Sequence, residues 1–155
     1  MAGSANNVIE QNVSFSNFAP ALNACGINLT AAASNNIVRH NESFANDFGI
    51  QVNGSVNNVV FENETHDNRN SGMRDIGTSN GTVIENNRVL NNAARGISIT
   101  TGSSGVLVAR NKAFDSGVAD LFWDRSGTSV EFEGNHCSTS VPAGLCEHTE
   151  GASHD

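Results

Sequence analysis

The sequence predicts an all-β solenoid, a single chain wound into about six stacked coils whose short strands align as three parallel sheets. Three observations predict it. Asparagine recurs at Asn12, Asn41, Asn63, Asn87, Asn111 and Asn135, at intervals of 29, 22, 24, 24 and 24 residues. An apolar residue stands three positions before each of them: Ile9, Val38, Val60, Ile84, Val108 and Phe132. A Gly-apolar pair precedes four of them by 14 or 15 positions, as Gly26-Ile27, Gly49-Ile50, Gly72-Met73 and Gly96-Ile97. Self-similarity at such a period marks units that bury their apolar faces only by stacking on one another.

The coils fall at about 4–24, 25–48, 49–70, 71–95, 96–120 and 121–144. Each opens on a Gly-Ile strand of the first sheet, turns, runs a second strand, passes the ladder asparagine and adds a short third strand. In the third coil GIQVN alternates Ile50 and Val52 with Gln51 and Asn53, the period of a half-buried strand. GSVNN turns the chain, VVFE is the second strand, ETH the third and DNRNS the exit. These strands are too short for helical crossovers, so parallel pairing must come from coiling. Asparagine suits the corner because it tolerates the left-handed backbone region. Its amide can also bond to the asparagine above and below. The predicted inward columns are Ile27, Ile50, Met73, Ile97 and Leu121 on the first sheet. On the third they are Phe15, Phe44, His66, Leu90 and Phe114. Six coils at the usual strand spacing would be about 29 Å long.

Composition supports one domain of this kind. The 155 residues are 37% hydrophobic and only 15% charged, with 15 Gly and no Tyr, a poor recipe for a helical bundle. The net charge of −8 leaves no basic stripe to release phosphate counterions, which argues against a nucleic-acid partner and against strongly anionic polysaccharides unless a divalent cation bridges them. No apolar run approaches the roughly 18 residues that cross a membrane. Residues 1–3 read as an appended start joined in mid-repeat, lacking the features of a signal peptide; any native leader or preceding domain would be missing from this chain. Residues 147–155 (EHTEGASHD) read as a frayed polar tail.

Of three cysteines, Cys137 and Cys146 lie nine apart across a Ser-Thr-Pro-Gly loop. They are expected to form a local disulfide, which points to an oxidising, secreted or periplasmic compartment. Cys25 reads as a small buried residue. Leu121-Phe122-Trp123 and the disulfide loop would close the last coil. The first coil has no covering helix before it, so either a native cap has been removed or a second copy of the chain covers its open strand edges, as a homo-oligomer through that end.

Phrases such as SNNIVRHN, SVNNVVFEN and GTVIENN, with the ending GNHCSTSVPAGLCE, resemble the right-handed parallel β-helix repeat. That repeat is shared by pectate-lyase-like proteins and the periplasmic β-helix proteins of nitrous-oxide-reductase maturation. The resemblance covers residues 4 to about 146. It implies a groove over the first sheet and its preceding turn. It leaves activity open, since the fold hosts lyases, hydrolases, epimerases and non-catalytic modules.

Candidate substrate-binding residues on that face are Asn28, Gln51, Asn53, Arg95, Asp120, Phe122, Trp123 and Asp124. Amides and hydroxyls match sugar hydroxyls and an aromatic stacks on a sugar ring, so the partner read from them is a neutral polysaccharide. Against this stands the plain alternative that any β-helix needs polar residues outside. Arg74 and Asp75 are the candidate catalytic pair for a residual lyase-type activity. By alignment with Leu29, Val52 and Ile99, Asp75 falls inward, where an unpaired carboxylate is costly. It would then carry a raised pKa. The preferred relief is a local bulge that turns Asp75 outward and Ile76 inward. His66, beside Asp67, reads as a satisfied corner or core histidine rather than a proton shuttle.

No cofactor is expected. The five histidines show no zinc spacing, and a calcium site at Asp47, Asp120 and Asp124 would lack the usual oxygen-rich loop. Glu64 and Arg88 should pair between coils as part of a surface ladder of small worth. The Asn-x-Ser/Thr triplets arise from repeat composition and imply no glycosylation. The motifs of relatives are missing: no Arg-x-Pro-x-x-Arg, no Asp-Asp with Arg-Ile-Lys, no Asp-Pro-His-Asp. The sequence thus predicts a secreted carbohydrate-binding module, with a self-associating structural solenoid as the alternative.

Overall fold

A computed structural model describes residues 3–19, 24–30 and 32–147. The chain forms three parallel sheets, each six strands deep. The first sheet contains Cys25–Thr30, Phe48–Asn53, Ser71–Ile76, Arg95–Ile99, Ala119–Trp123 and Ser140–Val141. The second contains Val8–Glu10, Ile37–Arg39, Val59–Phe61, Val83–Glu85, Leu107–Ala109 and Glu131–Glu133. The third contains Val13–Phe15, Glu42–Phe44, Glu64–His66, Arg88–Leu90, Lys112–Phe114 and His136–Cys137. Every strand pairs in parallel with its counterpart one coil away, as in Val60 between Val38 and Ile84. The start 1–3 and the tail 147–155 fall almost wholly outside the described residues. Among these, no helix is long and apolar enough to cross a membrane.

The predicted ladder is present. Amide Nδ2 of Asn63 donates to Oδ1 of Asn87 (3.1 Å), Asn87 to Asn111 (3.0 Å) and Asn111 to Asn135 (3.0 Å). From Asn41 onward each ladder amide also donates to a carbonyl in the coil before it, as Asn87 does to Val60 (2.9 Å). The left-handed corner residue, however, is the one preceding the asparagine. Glu62 has φ 53°, Asn86 54° and Arg110 53°. The corner thus frees the asparagine to sit in extended backbone with its amide turned inward.

Two further ladders line the interior. Asn17, Asn46, Asn68 and Asn92 form one at the exit of the third sheet, and Asn7, Asn36 and Asn58 another before the second. The sequence carries the first as a five-residue echo of the main ladder, in NESFAN and NETHDN.

These flanking asparagines overturn the predicted interior of the third sheet. With inward asparagines on both sides of a three-residue strand, only its middle residue can also point in. Ser43, Thr65, Val89 and Ala113 therefore fill the core, each 0% exposed. Phe15, Phe44, His66, Leu90 and Phe114 face outward instead, in register along the surface.

The first sheet follows its predicted parity. Ile50, Met73, Ile97 and Leu121 are buried in one column, and Leu29, Val52 and Ile99 in the next. Asp75 belongs to that second column, paired with Val52 and Ile99 and 0% exposed. The expected bulge is absent: six strand residues keep their register, and Ile76 stays on the outer side beside Asn53. At the far end Cys137 and Cys146 are joined, with Cα atoms 5.3 Å apart.

Candidate active face on the first sheet

The outward column of the first sheet reads Asn28, Gln51, Arg74, Ser98, Phe122 across five strands. Gln51 is pinned by its neighbour, its Nε2 donating to Oδ1 of Asn28 (2.9 Å). Its Oε1 is buried and has no hydrogen-bond partner among the described residues. Asn53 flanks this column on the same side, half-buried beside Thr30.

Three arginines give the face its character. The Arg74 guanidinium carbon lies 3.2 Å from the centre of the Phe48 ring. Arg95 lies 3.7 Å over Phe122, and Arg69 lies 3.6 Å over Phe18. An aromatic face holds a guanidinium by its quadrupole without neutralising it. Among the described residues none of the three is within salt-bridge distance of a carboxylate. The Nε atoms of Arg74 and Arg95 likewise find no acceptor there. Burial lowers the Arg74 pKa, opposed by contact with Cys25. The Cys25 thiol, half-buried, is pushed up by burial and pulled down by Arg74. Phe48 and Phe18 were not singled out by sequence, although Phe48 stands directly before the Gly49-Ile50 signal.

The remaining expected residues divide. Phe122 is on the face. Trp123 is not: it continues the inward column of Ile99, with its ring 6.2 Å from Phe132. Strand alternation sends neighbours to opposite sides, so the two aromatics could not share a ligand. Asp120 is 1% exposed and serves the turn. It accepts from Ser116 N (3.0 Å), Ser138 N (3.1 Å), Thr139 N (3.0 Å) and Thr139 Oγ1 (2.9 Å), which leaves it closed to substrate. Asp124 is exposed at the edge, accepting from Thr101 N (2.9 Å) and Ser126 N (2.8 Å). Slight burial raises its pKa, but the Ser126 and Thr101 bonds and the Arg95 charge outweigh this and lower it. No group of three or more His, Cys, Asp or Glu side chains is gathered for a metal among the described residues.

Arg74 and Asp75 stand on opposite sides of one strand, so the expected catalytic pair is split. Neither Asp75 oxygen has a hydrogen-bond partner of ordinary geometry among the described residues. Burial raises its pKa, tempered by the nearby hydroxyls of Ser103, Thr82 and Ser79. His66 lies outside, with Nδ1 2.7 Å from Asp67 and Nε2 3.1 Å from Glu42. Desolvation pulls its pKa down, and the two carboxylates more than reverse this. It is a satisfied surface histidine. Glu64 and Arg88 pair as predicted.

A parallel solenoid with an inward amide ladder and this coil length is matched over residues 1–137 by the family described as right handed beta helix region. The chain belongs to the right-handed β-helix family. No curated protein sequence matches it. Among solved structures this β-helix is similar to the periplasmic alginate epimerase AlgG, in crystal structures of a double and a single mutant. The TM-score is 0.75 and the identity 20% in both comparisons, over 87% of this chain and 35% of that one. The β-helix described here thus spans about a third of that enzyme's length. At this identity the likeness is one of fold.

Proposed function

We propose that this β-helix is an extracytoplasmic carbohydrate-binding module whose glycan lies along the outer face of the first sheet. The observation that carries the reading is the run Asn28, Gln51, Arg74, Ser98 and Phe122, one residue per coil, with Arg74 and Arg95 held on rings instead of carboxylates. Gln51 and Ser98 are 4% and 2% exposed. The groups this row presents are therefore the half-buried Asn28, Arg74 and Phe122, on alternate strands roughly 9.6 Å apart, and an extended chain of sugars can follow them. The ligand favoured is a neutral polysaccharide, because the molecule as a whole carries −8 and repels anionic chains at long range. The Cys137–Cys146 disulfide supports a location outside the cytoplasm, as does the periplasmic enzyme with the similar fold.

Glycan-array screening followed by calorimetry tests this. Arg74→Ala and Phe122→Ala should each weaken the best ligand about ten-fold, roughly 1.4 kcal/mol, whereas Asp75→Asn should leave affinity unchanged. Binding that survives both substitutions removes the reading. A second reading, a structural solenoid that associates through its first coil, has one observation behind it: Val8 and Val13 there are 51% and 59% exposed. Val8→Lys would then abolish association and spare glycan binding.

A further inference from the structure

The outer surface of the third sheet has no part in the glycan reading, and its two columns are ordered. One runs Glu42, Glu64, Arg88, Lys112 along four successive coils, acidic in one half and basic in the other. Beside it runs the stripe Phe15, Phe44, His66, Leu90, Phe114. Three of its rings lie flat on one another: Phe15 and Phe44 at 5.2 Å and 9°, Phe44 and His66 at 5.0 Å and 4°. Stacking of this kind covers the ring faces and turns their edges outward. Edge-on rings suit apolar side chains, and the Phe44 face between its two neighbours is closed to a sugar.

We propose that this surface is the seat of a two-fold dimer, and that its occupant is a second copy of this chain with its solenoid axis reversed. The arrangement follows from the register. A two-fold axis parallel to the strands and midway between two such faces keeps each column opposite itself and inverts the order of coils. Glu64 of one copy then meets Arg88 of the other, and Glu42 meets Lys112. Phe44 meets Phe114, and His66 meets Leu90. The Glu64–Arg88 pair present within each copy becomes half of a four-charge ring around the axis. Lys112, which has no ion-pair partner among the described residues, acquires one. A two-fold axis along the solenoid would instead set charges against the aromatic stripe. Only the reversed arrangement is self-complementary in both columns, as an isologous interface must be.

Six strands make a face only about 24 Å long, so the dimer belongs to the weak end of protein interfaces. Sedimentation velocity over a concentration series reads it. The unmodified protein should show a concentration-dependent monomer–dimer equilibrium that weakens with salt. Glu42→Lys with Glu64→Lys makes the column wholly basic, and Arg88→Glu with Lys112→Glu makes it wholly acidic. Each double variant alone should dimerise at least ten-fold more weakly. An equimolar mixture of the two should recover a heterodimer, which also demonstrates that both are folded. Phe114→Ser should weaken the unmodified dimer, and Val8→Lys should not. If a double variant fails to fold, the single Lys112→Glu at its exposed position carries the same test. A strict monomer at all concentrations overturns the proposal. So does a dimer indifferent to both charge reversals, whether or not glycan binding is found.

Discussion

Asn87 engages both ends of its amide inside the stack. Its Oδ1 accepts from the backbone and side chain of Asn63, while its Nδ2 reaches Val60 O and Asn111 Oδ1. Asn87→Ala would leave those buried partners on two coils unsatisfied, at roughly 1–3 kcal/mol each before relaxation. A net loss of about 3 kcal/mol in urea unfolding is expected. Asp75 works in the opposite sense. Its carboxyl, raised above the ordinary 3.8 by burial, binds a proton more tightly folded than unfolded. Its contribution is therefore full below the unfolded value and is lost as pH rises through the folded one. Thermal unfolding of the unmodified protein should fall on that alkaline side, and Asp75→Asn should flatten the fall and raise Tm at neutral pH. At this scale the sequence was legible where chemistry repeats: the ladder and the inward placement of Asp75 both follow from alignment of the coils. The bulge expected to rescue Asp75 did not, because one costly residue does not outweigh the register of a six-residue strand paired on both sides.

Strand length decides how much of each element the sequence discloses. The first sheet has strands of five or six residues over most of its depth, enough alternations to fix which side faces in, and its outer column was readable. In the third sheet a three-residue strand and its ladder asparagine stand between left-handed corners such as Glu62 and Asp67. Each corner resets the alternation, so Phe44 and His66 look like core residues by composition and lie outside by phase. Phe48 and Phe18 escaped notice because their partners, Arg74 and Arg69, arrive from other coils. The last coil can be read in solution. Trp123, the one tryptophan, packs toward Phe132 near the Cys137–Cys146 link. Closing so short a loop is worth about 2.5 kcal/mol in the chain-entropy model. Cys137→Ser with Cys146→Ser should lower stability by that amount and shift Trp123 fluorescence to the red before the rest of the β signal is lost.

At the scale of the whole molecule, strand contacts among the described residues join positions 19 to 29 apart, and none of these joins the two ends. Stability is then close to a sum over coils and their junctions. Charge is distributed in the same coil-by-coil way. The net −8 coexists with three ring-held arginines on one side and a divided acidic and basic column on another, so each surface is defined by a row and not by the average.

The recurring 24-residue step between Asn63, Asn87, Asn111 and Asn135 also separates two quantities that are coupled in most folds. The perimeter of one winding sets the cross-section, and hence which chemical groups stand side by side around it. The number of windings sets only how far that pattern is prolonged. Duplication of a whole winding would therefore extend the rod by a single rung and leave every existing row intact, whereas a gain or loss of one residue would throw a row out of phase.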